Sequence, residues 1–423
     1  MRRISSCRFL VMGPVVLLTA MSPVRGDVTL DSLVNKGEYA KAVKYAEDEV
    51  PAADRDVDFW VTLAKAYRNV KGVQEASVKE KECLESAQKA NPSHPRVYLG
   101  FGRYSFERKD YAEAQKHFMK SYLLKRTAEA AEGMALSSAK LKQWDKARDA
   151  AESAVNLDST VHEPRLILAD LYLKGKEYED AAEQLERIVA KEESNVEHWK
   201  NLALCYKSLD DEAGLARVDP RIIKLDEKHI PSRKRHAEYT LAKKDTATAL
   251  KLYKELAILE PDEPKTFERL YAISRAKGQI KDATLYLKNY LVLDSANAPY
   301  RRALGDLLYE QKDLGGAIAA YRKTRALDPK VDKIYKRYLD ALLKKERKEE
   351  AAKVMTAAIA AKETDARLYE AVGDIHREKK RFEDAVKMYE GALKTAPENV
   401  RVLTALAECR AKAGDTKNAI LTY

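Results

Sequence analysis

Along most of the chain, bulky apolar residues recur at i, i+3 and i+7 over stretches of about a dozen residues, which is one face of an α-helix. Leu304, Gly305 and Leu308 mark one such stretch, and Tyr369, Val372 and Gly373 another. Phe267 and Leu270 mark a third, and Trp199, Leu202, Ala203 and Tyr206 a fourth. A short polar turn follows each, often with glycine (Gly175, Gly278, Gly315-Gly316). Then comes a second apolar stretch with alanine and an aromatic four apart, as in Ala317 and Tyr321 or Ala385 and Tyr389. The pattern predicts pairs of short helices and no strands.

The pairs keep a fixed period. They close at Leu259-Glu-Pro261, Leu327-Asp-Pro329 and Thr395-Ala-Pro397, in steps of 68, with Leu293-Asp-Ser295 and Lys362-Glu363 halfway between. The unit is therefore 34 residues. Full units are expected at 57–92, 95–126, 128–159, 162–193, 196–227, 230–261, 264–295, 298–329, 332–363 and 366–397. Two helices this short bury too little apolar surface to stand alone, so neighbouring pairs must stack. A small residue at the eighth position (Ala169, Ala203, Gly305, Gly373) lets the second helix come close. The second-helix alanines (Ala181, Ala249, Ala283, Ala317, Ala351, Ala385) receive bulky residues from the next pair. Proline at the end stops the second helix, because it cannot donate to the helical ladder.

This arrangement resembles the tetratricopeptide repeat, whose pattern is Trp-x2-Leu-Gly-x2-Tyr, then Ala-x3-Phe, then Pro. The resemblance extends over roughly residues 28–423. It implies an all-α fold, an α-solenoid in which about ten to eleven helix-turn-helix units form a right-handed superhelix with a concave inner surface. It also implies that the second, fifth, ninth, twelfth and thirteenth positions of each first helix face that surface. Carried over, the ninth position assigns Asp170, Glu238, Asp306, Asp340, Asp374 and Glu408 to a partner-binding groove. The fifth assigns Lys200, Lys234, Arg302 and Lys336, and the twelfth Arg68, Arg275, Tyr309 and Arg377. Asp306, Asp340, Asp374 and Glu408 form a ladder of acids suited to a basic or amide-rich segment. The pairs Lys234–Glu238, Arg302–Asp306 and Lys336–Asp340 stand at i,i+4 spacing and are expected to neutralise one another within their helices. Lys65 and Asn69 do not reproduce the carboxylate clamp with which some members hold chaperone tails.

The pattern breaks in three places. Residues 69–77 lengthen the turn of the first full unit by about four residues. Pro220 falls where the fifth unit's second helix should continue, so Asp219 is expected to cap a new helix with Pro220 in its first turn. The break is read either as a joint, dividing the array into an N-terminal part, 27–227, and a C-terminal part, 228–423, or as a local kink with no role. The chain also stops at Tyr423, midway through a second helix, as a fragment of a longer protein would. A partial unit lies near Gly37-Glu-Tyr-Ala.

Residues 1–26 differ from the rest. Arg2, Arg3, Arg8 and Arg25 flank the apolar run from Phe9 to Ala20, with no acid in the segment. That run is too short to cross a bilayer, which needs roughly 20 residues. It has the form of a cleaved secretory signal, cut before Asp27. The expectation is an exported protein, periplasmic or secreted, with no integral membrane span after cleavage. Removing the segment leaves 73 of the 77 basic residues against 67 acidic ones. So mild an excess, alternating in sign along the helices, argues against nucleic-acid binding.

Little in the chain points to chemistry. With 16 glycines and 13 prolines in 423 residues, turn formers are scarce. Cys83, Cys205 and Cys409 are an odd, widely spaced set and read as packing residues. The seven histidines are scattered, His229 and His236 being read as surface residues, and Glu192-Glu193 as a solvated charge run. There is no Walker-type glycine loop, His-Glu-x-x-His motif or serine elbow. No catalytic residue, metal ligand or cofactor is assigned. The function expected is a non-catalytic scaffold that binds a protein or an extended peptide in its groove, with an envelope complex among its candidate partners. Two alternatives are the periplasmic part of an exopolysaccharide-secretion or outer-membrane assembly system, and the non-catalytic arm of a truncated enzyme.

Overall fold

The computed structural model describes residues 29–329, 331, 334–362 and 364–422. Among them are 24 α-helices, one short 3-10 turn at Ala52–Asp54 and no strand. The proposed signal at residues 1–26 lies outside the described residues. None of the described helices is long and apolar enough to cross a membrane.

The chain divides into two compact units, one ending at Leu209 and the other beginning at Asp210. The division falls between the two helices of the fifth repeat, earlier than the 227/228 boundary read from the sequence. In the first unit, Leu30–Asn35 and Tyr39–Asp48 make the partial repeat. Four full hairpins follow, from Val57–Asn69 with Ala76–Ala90 to Glu163–Gly175 with Tyr178–Lys191, and Val196–Ser208 completes the unit. The second unit opens with Glu212–Leu225. Five hairpins follow, from Ile230–Ala242 with Thr246–Leu259 to Ala366–Glu378 with Phe382–Leu393, and then Val400–Lys412 and Thr416–Thr422. The unit is an α-solenoid in each case.

Within each unit every helix packs on the next in sequence. Several first helices also touch the first helix of the following repeat, as Val57–Asn69 touches Pro95–Glu107 and Tyr335–Lys344 touches Ala366–Glu378. No two second helices make comparable contact among the described residues. First helices therefore lie closer together and line one flank of each unit.

The turns between paired helices repeat one backbone device. Lys142, Lys176, Asp210, Lys244, Gly278, Lys312, Glu346, Lys380 and Gly414 all take positive φ, spaced by 34. Asp313 N–H then reaches back to the Leu308 carbonyl at 2.9 Å, a Schellman closure. The Asp313 carboxylate accepts from Gly316 N–H at 2.9 Å and caps the next helix. Of the glycines expected in turns, only Gly278 occupies this slot. Gly175 ends its helix and Gly315-Gly316 lie in the first turn of theirs, because the slot falls one residue before the capping aspartate. The first repeat's turn is longer, as its insertion required, with Gly72 and Glu75 both at positive φ.

Pairing within a repeat depends on close approach. A Cβ on Gly305 would stand 2.6 Å from the Tyr321 ring, and one on Gly373 2.7 Å from Tyr389. The six second-helix alanines named above are fully buried. Cys83, Cys205 and Cys409 are buried as well and form no disulfide. Burial pushes the Cys205 thiol up to about 11 and the Cys83 thiol up to about 12, as befits inert packing groups.

Pro220 does not restart the helix. Glu212–Leu225 runs through it, capped by Asp211, which accepts from Gly214 N–H at 2.8 Å. Asp219 is buried and paired with Arg235 at 2.5 and 3.0 Å. That ion pair, with buried Val218 and Ile222 on either side of the proline, holds the helix continuous. The cost is the Ala216 carbonyl, which loses its helical donor.

Two substitutions test this account. Gly305→Val forces the Tyr321 ring away and should lower stability by about 1–3 kcal/mol in urea unfolding. Lys312→Gly removes a left-handed penalty and should raise it by roughly 0.5–1 kcal/mol.

Candidate functional site

All the residues assigned to the groove lie on first helices. In the second unit four of the ninth-position acids are met by an arginine from the next repeat. Glu238 pairs with Arg269 at 3.3 Å, Asp306 with Arg337 at 3.2 Å, Asp340 with Arg367 at 2.7 Å and Asp374 with Arg401 at 2.9 Å. Second-helix tyrosines hold two of them from behind: Tyr321 donates to Asp306 at 2.8 Å and Tyr389 to Asp374 at 2.7 Å. Asp340 is buried and also accepts from the Tyr309 hydroxyl and from Lys344 at 2.7 Å. Burial by itself would raise the pKa of Asp340, but the hydrogen bonds from Lys344, Tyr309 and Arg367 together hold it below the usual carboxylate range.

The i,i+4 neutralisation expected from spacing is mostly not what forms. Lys234 reaches Glu260 at 2.7 Å and Glu263 at 3.7 Å, and Lys336 reaches Asp365 at 3.0 Å. Only Arg302 stays near its own helix's acid, 3.8 Å from Asp306. The loop entering the next repeat brings carboxylates beside the fifth position, and linear spacing does not reveal them. Arg275 grips Glu310 at 2.7 and 3.0 Å. Arg377 lies between Asp374 at 3.4 Å and Glu408 at 3.5 Å.

In the first unit half-buried Arg68 meets buried Glu80 at 2.7 Å, with Glu107 at 3.5 Å. Asp170 pairs with Lys174 at 2.5 Å and Lys200 with Glu197 at 3.1 Å. Glu192 is more than a solvated charge, since His162 and His198 each approach it at 2.8 Å. His236 is half-buried, its Nδ1 has no partner, and burial lowers its pKa. Among the described residues no cluster of three or more His, Cys, Asp or Glu could hold a metal ion.

Sequence patterns of known families match much of this array. The tetratricopeptide repeat pattern matches residues 167–218 and 275–332. That of the N-terminal TPR repeats region of Psidin matches residues 326–422. Over those residues the chain carries tetratricopeptide repeats. Solved structures of similar fold include YrrB, a TPR protein with an unusual peptide-binding site, at 15% identity and TM-score 0.35, covering 46% of this chain and 95% of YrrB. Pseudomonas aeruginosa pilF follows at 19% identity and TM-score 0.39, with 50% and 94% covered. Naa15/Naa10 bound to HypK stands at 13% identity and TM-score 0.34, with 93% and 66% covered. No curated protein matches the sequence. Tetratricopeptide arrays are typically interaction scaffolds, and the surfaces to consider are therefore cavities on the first-helix flank.

The larger cavity, about 700 Å³, lies in the second unit. Glu212–Leu225, Ile230–Ala242, Thr246–Leu259 and the start of Pro264–Ala276 enclose it. Lys234 and Glu238 stand at its edge, with Leu215, Tyr239, Ala242 and Leu256 supplying apolar walls. In three repeats of the first unit the eleventh position is a tyrosine that donates to a glutamate of the preceding second helix: Tyr67 to Glu47 at 2.5 Å, Tyr172 to Glu152 at 3.0 Å, and Tyr206 to Glu186. In the sixth repeat Thr240 stands at the eleventh position, and Pro220 at the corresponding place on the preceding second helix. Thr240 turns its hydroxyl onto its own helix, 2.8 Å from the His236 carbonyl.

A smaller cavity of about 200 Å³ lies in the first unit. Two residues lining it, Arg103 and Glu132, were missed in the sequence. They occupy a ninth and a fifth position, and Arg103 could have been singled out as the basic exception in a register read for its acids.

The Asp340 cluster yields a pH test. Its folded pKa is depressed, so its contribution to stability is present above the unfolded value of about 3.9 and lost as pH falls through the folded one. Asp340→Asn should cost roughly 1–3 kcal/mol at pH 7, and the gap from the parent should close at acid pH. Urea unfolding at both pH values checks this; an unchanged gap would mean the carboxylate's charge is not the source.

Proposed function

We propose that this protein is a non-catalytic scaffold, exported to the periplasm or secreted, that holds an extended segment of a partner protein against the first-helix flank of its second unit. The observation that carries the reading is the cavity of about 700 Å³ beside Lys234 and Glu238, which occupy partner-facing positions of the repeat register. Its size falls in the range of roughly 300–1,000 Å³ usual for binding sites. Lys234 is engaged by Glu260, and Glu238 by Arg269, so the rim charges are already balanced. A bound segment gains mainly from the apolar walls and from shape. The signal-like residues 1–26 support export, which makes the partner an envelope or extracellular protein.

Ala242 is exposed at the cavity, so Ala242→Phe fills it without disturbing the core. In crosslinking capture from envelope extract, this variant should recover the partner at least about five-fold less well than the parent, with an unchanged melting curve. Equal recovery would sink the proposal.

A further inference from the structure

We infer that the second and third repeats hold a separate recognition site for one bulky apolar side chain of an extended segment, whose main chain is held by Arg103 and Glu132. The inference rests on the reading of the protein as a segment-binding scaffold but concerns a different place in it. Phe106, Phe118 and Leu136 give the cavity of about 200 Å³ its apolar lining. Phe118 forms part of this lining because Gly133 makes room for its ring: a Cβ there would stand 2.5 Å from it. The space is below the roughly 300 Å³ at which small-molecule sites begin, and it suits a single side chain.

Arg103 and Glu132 line the same cavity, both half-buried. Neither forms a hydrogen bond or an ion pair among the described residues, whereas Arg68 nearby is fully engaged by Glu80. A partly desolvated guanidinium and carboxylate left apart from each other offer donors and acceptors side by side. A peptide unit matches both: its carbonyl accepts from Arg103 and its N–H donates to Glu132. Charged anchors fit poorly. An incoming carboxylate would meet Glu107, Glu129 and Glu132, and an incoming ammonium would meet Arg103, with Arg68 beside it.

Fluorescence anisotropy on the full chain tests this with labelled peptides of the form Gly-Ser-Gly-X-Gly-Ser-Gly, where X is Phe, Gly, Lys or Glu. The Phe probe should bind at least ten-fold tighter than the others. Arg103→Gln and Glu132→Gln should each weaken it five-fold or more. Methylating the amide nitrogen after X should weaken binding to the parent but add nothing to Glu132→Gln. Equal binding of the Gly probe, tighter binding of a charged probe, or an Arg103→Gln affinity equal to the parent's overturns the inference. Failure of every probe overturns it too, while leaving the second unit's cavity to be judged by the Ala242→Phe capture.

Discussion

One contact organises the repeat: an aromatic ring of the second helix laid against a glycine of the first. Tyr321 lies against Gly305 and Tyr389 against Gly373, each ring fully buried. The same tyrosines carry a hydroxyl to Asp306 and Asp374, and these acids take an arginine from the following repeat. Packing within one hairpin thereby fixes the group that binds the next. Short helices that are marginal alone are joined by apolar contact inside the repeat and by charge between repeats, so stability depends on neighbours.

That coupling changes the meaning of the charged flank. Acids at a ninth position look available to a ligand when each helix is considered singly. In the stacked chain Asp340 has Tyr309, Lys344 and Arg367 around it and is buried. Charges so engaged hold the repeats together, and removing one leaves a buried partner unsatisfied. Recognition is better served where the packing leaves room. Between Glu212–Leu225 and the helices after it a cavity remains in the second unit. Arg103 and Glu132 face a second cavity without joining the network.

Pro220 shows how far local rules extend. A proline inside a helix costs roughly 3 kcal/mol, which favours a break. The helix continues because Asp219, one residue before it, is clamped by Arg235 from the next helix and because apolar residues on both sides are buried. Tertiary contact outweighs the local penalty there.

The sequence alone determined the all-helical class, the 34-residue period, the small residue at the eighth position and the buried second-helix alanine. These follow from apolar spacing and residue size, which are properties of a single hairpin. It also placed the candidate groove residues on first helices. The partners of Lys234 and Lys336, the Arg367 partner of Asp340 and the His162 partner of Glu192 were decided only by tertiary structure, because these ions lie about 26 to 30 residues apart along the chain. The cavities were decided there as well. Empty space arises from what the surrounding helices fail to fill, and no single helix carries that information.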